Sequence, residues 1–442
     1  MHMIRTHTCG ELRKTHTGEV VTLEGWVDTF RVSGKISFIL IRDRSGITQA
    51  FVNKDLTAAN KAMLKPETVV RIQGKVNARP ANQVRAEMPT GEIELEATAI
   101  TILNEAEQPL PVDLMNETTT GIDKRLDFRF LDVRRDKVKN IFTIRSKIFA
   151  KTVEFFEKEA FVNIQTPKLT AAGVESGAEE FSLPYFGKVA HLSQSPQIYK
   201  QMFVVGGLEK VYSVEPIFRA EKSHTTRHLT EFTGIDFEMG FIESEYDVMR
   251  VIERYFHFLL SAVKTECAPE LDKLGITIDV PHEIPKLSIH EARKILAKKG
   301  KIIPEDDDLD AEGEKMIGEY VKETYQSDFV FMLDYPWQKR PFYHMRPDAD
   351  KKVTKSFDLL YKGLEIGTGA QREHRLAVLE AQCAEKGIDF TKMTFYRDIF
   401  RYGAPPHGGV GLGLDRIVKQ MLNLENVKEA ILLPRDPDRL TP

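Results

Sequence analysis

The chain predicts a multidomain α+β protein, in which a small all-β module precedes a larger body of helices around a mainly antiparallel sheet. Three observations point there. Five short runs of alternating apolar and polar residues fill positions 20 to 103. A break containing Pro109 and Pro111 follows, over residues 105 to 120. Beyond it, helical spacing and strand-like alternation interleave to residue 442.

With 442 residues, 42% hydrophobic and 29% charged, the chain has ample sequence to bury cores, and disorder or collagen-like repeats are excluded. Cys9, Cys267 and Cys383 are too few and too scattered for a disulfide framework or a paired-Cys zinc site, so a reducing cytoplasm is the expected setting. No apolar run reaches the roughly 18 residues of a membrane span, and MHMIRTHTCGELRK lacks the apolar core of a signal peptide, so no membrane partner is expected. Net charge is -4, but residues 1–100 hold 14 Lys plus Arg against 11 Asp plus Glu, about +3, leaving about -7 for the rest. A slightly basic module on an acidic body suits a polyanion held locally.

Taken in order, VVTLEGWVDTF, KISFILIRD, GITQAFVN, TVVRIQGKV and IELEATAITIL read as strands, with a helix-like stretch at Asp55–Lys65. That count fits a five-stranded barrel of the oligonucleotide-binding (OB) type. Residues 1–104 form this module, 105–135 a hinge, and 136–442 the second domain. Val138–Ala160 places Ile141, Ile144, Ile148, Val153 and Phe156 at helical spacing, ending before a strand, FVNIQTPKL. Residues 181–241 alternate strands and turns, and Tyr246–Val263 and Ala311–Thr324 are helical within an insertion of about 245–330. The acidic run 305–312, EDDDLDAE, is read as a solvated helix start rather than a metal site. Phe357 to Pro442 supplies strands, a glycine-rich turn and a terminal helix.

Residues 211–241 carry the most chemistry. They read as a hairpin around a polar loop, Lys222 to Thr226. Alternation puts Ile235, Phe237 and Met239 on one face of the second strand and Phe232, Asp236 and Glu238 on the other, with Arg219 and Glu221 joining the charged face from the first. A solvated face with cross-strand ion pairs also fits the charges, but not the single Phe. A ring beside an Arg and acceptors suits a flat heterocycle with a phosphate tail. HGGVGLGLDRIVKQML, residues 407–422, places glycines before an amphipathic helix and Arg416 after them; it has neither a Walker lysine nor the dinucleotide spacing. In 356–375, Asp358, Glu365 and Thr368 are hard oxygen donors suited to magnesium riding on phosphates, with Arg372 following. Gln197 and Lys200 stand three apart, on one face if a helix starts there, a spacing equally expected of a solvated face.

Together these residues resemble the class II aminoacyl-tRNA synthetases, and within them the aspartyl-tRNA synthetases of archaeal and eukaryotic type. The family's first motif matches residues near 160–169 with Pro167, its second 211–241 through FRAE and RHLTEF, and its third 408–435 through GLGLDR and ILLPRDPDRLTP. The resemblance implies an OB-fold anticodon-binding domain on a class II catalytic domain, and a two-step reaction. L-aspartate and ATP give aspartyl-adenylate and pyrophosphate, and the 3′-terminal adenosine of tRNA(Asp) then takes the aspartyl group.

Carried onto this chain, the resemblance makes Arg219 and Arg416 catalytic. It assigns ATP to Arg219, Ala220, Glu221, Arg227, His228, Leu229, Phe232, Glu365, Gly413, Leu414, Asp415 and Arg416. Aspartate falls to Glu175, Gln197, Lys200, Arg219, Thr368 and Arg372, and Mg2+ to Glu365 and Thr368, with Asp358 a weaker candidate. Anticodon bases fall to Phe38, Gln49 and Arg31, with Trp26 less supported, stacking being worth about 1–3 kcal/mol per base. Arg372 and Lys200 facing the side-chain carboxylate would penalise asparagine by roughly 2–5 kcal/mol. The family also implies a homodimer. Thr368, Asp415 and Ser176 depart from the usual Ser, Glu and Gly, and residues 81–89 leave open an enzyme that also charges tRNA(Asn); an asparaginyl enzyme is the further alternative.

Overall fold

A computed structural model describes residues 4–34, 36–115, 119–171 and 180–442. It divides into two compact units, residues 1–111 and 112–442.

In the first unit β1 (Val20–Ser33), β2 (Ile36–Asp43), β3 (Gly46–Val52), β4 (Val69–Ala78) and β5 (Ile93–Asn104) close a barrel in the order β1-β2-β3-β5-β4. Alternation decides its inside: Leu23, Ile39, Ile41, Ile72 and Leu95 are fully buried, whereas Phe38 and Leu40 between them point outward. The predicted helix is the shorter Lys54–Asn60, capped by Asn53, whose side chain accepts from Leu56 N at 2.9 Å.

The second unit is built on an eight-stranded sheet. Its strands are β6 (Val162–Asn163), β10 (Lys210–Phe218), β11 (Glu231–Gly240), β12 (Lys286–Ser288), β13 (Phe329–Leu333), β14 (Ser356–Tyr361), β15 (Leu364–Gln371) and β16 (His407–Gly413). The order is β12-β13-β14-β15-β16-β11-β10-β6, antiparallel except at its two edges. A separate three-stranded sheet joins β7 (Leu169–Thr170), β8 (Ser182–Tyr185) and β9 (Lys188–Leu192). One face of the large sheet is covered by the helices Asp136–Lys158 and Glu245–Glu266, whose Ile144, Ile148, Phe156, Tyr255 and Leu259 bury against Ile235, Phe237 and Val410. The opposite face of the central strands is left for polar residues.

Three segments differ from the sequence reading. Residues 122–132, placed in the hinge, form two short helices of the second unit. Their polar composition resembles a linker, but Asp132 is fully buried between Arg125, Arg129 and Arg135, and Arg129 also donates to the Ile431 carbonyl at 2.9 Å. The insertion of about 245–330 is not purely helical, because β12 within it extends the sheet beside β13. The strand FVNIQTPKL shrinks to β6 and the first residue of β7, since Pro167 between them has no N–H for a ladder.

Candidate active site

A cavity of about 450 Å³ lies over β10, β11, β15 and β16. β10 and β11 form the expected hairpin, with Phe218 opposite Glu231, although its connection, 219–230, is longer than the polar loop read from sequence. Alternation along β11 turns Phe232, Gly234 and Asp236 into the cavity and Ile235 and Phe237 into the core. Arg219, just beyond β10, sits with its guanidinium 5.5 Å from the Phe232 ring centre and 3.8 Å from the Glu221 carboxylate.

Glycines in β16 let this face form. A Cβ on Gly409 would lie 2.1 Å from the Phe237 carbonyl oxygen and 2.3 Å from Glu238 Oε2, so only a bare backbone passes over those oxygens. A Cβ on Gly411 would approach Asp236 Oδ1 to 3.0 Å. Past β16, the helix Leu414–Met421 aims Arg416 back, donating to the Glu365 carbonyl at 2.8 Å and lying 4.0 Å from its carboxylate. Arg227 also lines the wall and pairs with Glu314 at 2.9 Å. His228 lines it too, its pKa pushed down by burial and by Arg416.

At the other end, Arg372 is buried on β15's continuation. Its Nε donates to Glu238 Oε1 at 2.9 Å and its Nη2 to the Gly409 carbonyl at 3.0 Å. Burial opposes charge on Glu238, but Arg372 and Lys200 outweigh it and hold the carboxyl below its ordinary pKa. Gln197 starts the helix Gln197–Phe203, lines the wall and donates to Glu238 Oε2 at 3.3 Å.

Most of the residues singled out in the second domain therefore meet: Arg219, Glu221, Arg227, His228, Leu229, Phe232, Gln197, Glu365, Thr368, Arg372, Gly413, Asp415 and Arg416 all line one cavity. Others do not. Lys200 is buried behind the wall, bonded to Asp236 at 2.9 Å and the Val410 carbonyl at 3.0 Å, because a buried ammonium must be paired. Its ammonium therefore faces Asp236 rather than the cavity. Leu414 packs in the core, and Ala220, half-buried, is absent from the wall. Asp415, at the wall but 2% exposed, accepts from Thr233 N at 2.8 Å, tying helix to strand. Glu175 lies outside the described residues.

Sequence reasoning missed Arg340, Tyr343 and His344 in the wall, and the carboxylates behind it, Asp308 near Arg340 and Glu314 on Arg227. Arg340 grips Asp358 in a fork at 3.0 and 2.6 Å, so that carboxylate's charge is already met. Asp310 caps its helix as expected, accepting from Gly313 N at 2.7 Å, and Asp308, its side chain partly exposed, lies 3.9 Å from Arg340. Burial pushes Asp308 up to about 6, and burial with Glu365 pushes Glu314 up to about 7.

Magnesium fits the remaining oxygens. Thr368 Oγ1 lies 3.3 Å from Glu365 Oε1 and 2.7 Å from Asp358 Oδ1. Among the described residues no three His, Cys, Asp or Glu side chains form a cage by themselves. A hard ion completed by substrate phosphates and water suits such a partial set.

In the barrel, cross-strand register puts Arg31 opposite Phe38 and Phe38 opposite Phe51, and Gln49 opposite Leu40, so Arg31, Phe38 and Gln49 share an outer face. The Phe38 and Phe51 rings are 6.3 Å apart, Arg31 is exposed and Gln49 is buried.

Residues 121–437 match the family described as tRNA synthetases class II (D, K and N), and 21–103 the OB-fold nucleic acid binding domain. The chain is 42% identical over 445 residues to the aspartate–tRNA(Asp) ligase of Thermococcus kodakarensis, covering 100% of both. It is 42% identical over 439 residues to the aspartate–tRNA(Asp/Asn) ligase of Aeropyrum pernix, covering 97% of both. Among solved structures, asparaginyl-tRNA synthetase from Pyrococcus horikoshii, complexed with asparaginyl-adenylate, aligns with a TM-score of 0.90 at 32% identity over 100% of each chain. Aspartyl-tRNA synthetase from Entamoeba histolytica aligns at 0.88 and 31%, over 98% of this chain and 92% of that one. A cavity with an aromatic, arginine-flanked end and a buried arginine end thus lies in a chain matched along its full length, and the chain belongs to the class II tRNA synthetases.

Proposed function

We propose that this chain is an aspartate–tRNA ligase, activating L-aspartate with ATP and transferring it to the 3′-terminal adenosine of tRNA(Asp). The observation that carries this reading is Arg372, a buried cation lining the cavity, in a chain similar throughout to aspartate–tRNA ligases.

Phe232 offers a ring face for the adenine and Glu221 an acceptor for its amino group, while Arg219 bridges the α-phosphate and the aspartate α-carboxylate. Arg227, His228 and Arg416 neutralise the outer phosphates. Glu365 and Thr368 would hold Mg2+, which spreads phosphate charge when bound. A carboxylate oxygen of aspartate attacks the α-phosphorus and pyrophosphate leaves; the tRNA hydroxyl then attacks the acyl carbon and AMP leaves. No protein nucleophile is needed, because alignment and charge neutralisation lower both barriers. Gln197 and Arg372 receive the amino acid, with Lys200 fixing Asp236 from behind. The outer face bearing Arg31, Phe38 and Gln49 takes anticodon bases. The protein acts in the cytoplasm as a homodimer, a state supported by apolar Val162 and Leu169 standing exposed beside Pro167.

Relatives of equal identity include ligases named for tRNA(Asp) alone and for tRNA(Asp/Asn), so a second reading is an enzyme that charges both. Charging of separate tRNA(Asp) and tRNA(Asn) transcripts with labelled aspartate, asparagine serving as control, decides between them. Aspartylation of tRNA(Asp) alone supports the first reading and of both the second. Charging only with asparagine, or none, refutes both.

A further inference from the structure

Arg372 has N–H donors on Nε, Nη1 and Nη2 and no acceptor. Nε is spent on Glu238 Oε1 at 2.9 Å, and Nη2 on Glu238 Oε2 at 3.3 Å and the Gly409 carbonyl at 3.0 Å. Nη1 lies 3.1 Å from His344 Nε2. A guanidinium only donates, so Nε2 is the acceptor and the ring proton sits on Nδ1. Burial, followed by Arg372, Arg340 and Lys200, pushes the His344 pKa well below its ordinary value, so the ring stays neutral. The main chain fixes it in place: His344 pairs with Arg372 in an antiparallel bridge, and its N donates to the Pro341 carbonyl at 3.1 Å.

Two donors are left over. One Nη1 N–H of Arg372 remains uncommitted, and His344 Nδ1 is buried without a hydrogen-bond partner among the described residues, on a side chain 2% exposed that lines the cavity. An interior donor left unpaired is rare and costly, and at a cavity wall a ligand acceptor accounts for it.

We propose that His344 is a specificity-determining residue for the amino-acid substrate: its Nε2 fixes Arg372, and its Nδ1–H joins the free Nη1–H as a donor pair for a carboxylate. A carboxylate accepts at both oxygens, whereas a carboxamide must turn an N–H against one of the two donors. This rests on reading that end of the cavity as the aspartate side-chain pocket.

The test is amino-acid-dependent pyrophosphate–ATP exchange by the full-length protein carrying H344L, H344Q or H344N. H344L should raise the aspartate KM by about tenfold or more, and shrink the kcat/KM preference for aspartate over asparagine by a similar factor. The ATP KM should stay within about twofold, and H344Q, which can accept from Arg372 and donate from its amide, should recover most of the loss. An H344L protein with an unchanged aspartate KM and preference overturns the inference, as does an equal rise in both KM values, which marks a merely structural role. If H344L does not fold, H344N, too short to reach Arg372, carries the same test: an unchanged aspartate KM overturns the proposal. Wild-type protein without aspartate-dependent exchange would instead refute the ligase reading and this inference with it.

Discussion

Arg219 and Arg372 bring the same charge into one cavity and are held in opposite ways. The Arg219 side chain is 44% exposed with Glu221 at 3.8 Å, so R219A should leave the melting temperature nearly unchanged while lowering exchange by about 100-fold or more. Arg372 is paired with a fully buried Glu238, so R372A should abolish exchange and also cost about 3–5 kcal/mol of stability by stranding that carboxylate. Adding E238Q should restore the melting temperature and leave exchange absent. His344 carries a pH signature. The unfolded chain takes a proton on this ring near its ordinary pKa of 6.5, whereas the folded ring resists it, so stability falls as pH drops below that value. H344Q should flatten the pH dependence of thermal unfolding on the acid side by up to about 1.4 kcal/mol per pH unit. Some slope should remain, because His407, also buried and bonded to Gln201 at 2.9 Å, has its pKa lowered as well.

Elements place these residues, and β16 does so by what it lacks. G409A would push a Cβ into the Phe237 carbonyl and Glu238, forcing β16 from β11, and should cost at least the upper end of about 1–3 kcal/mol by denaturant titration. The β10–β11 hairpin was legible in the sequence because a period of two sorts its side chains whatever packs around them. The glycines of 407–413 were legible as a close approach, but not that the main partners are the protein's own carboxylates. The acidic run 305–312 was legible as a solvated helix start, capped by Asp310, but not that Asp308 within it lies 3.9 Å from Arg340. Gln197 and Lys200 likewise suit a solvated face by spacing alone, yet both are buried under β11.

Across the whole molecule, the barrel and the sheet domain each have their own core, so their chemistries should separate under mutation. F38A, on the outer face of the barrel, should weaken tRNA(Asp) charging about 5- to 150-fold in tRNA KM while leaving pyrophosphate exchange intact. A matching loss of exchange would show that Phe38 serves the fold instead. The sequence by itself determined the two-domain order, the strands and helices with clean periodicity, and the set of cations and carboxylates that meet in the second domain, because periodicity and residue chemistry are local properties. Only the tertiary structure decided which of those charges face the cavity. Lys200 and Asp358 are spent on buried partners, whereas Arg372, held by Glu238 and by His344 from another segment, still lines the cavity. The physical reason is that a buried charge is defined by its partner, and these partners lie between 18 and 134 residues away along the chain.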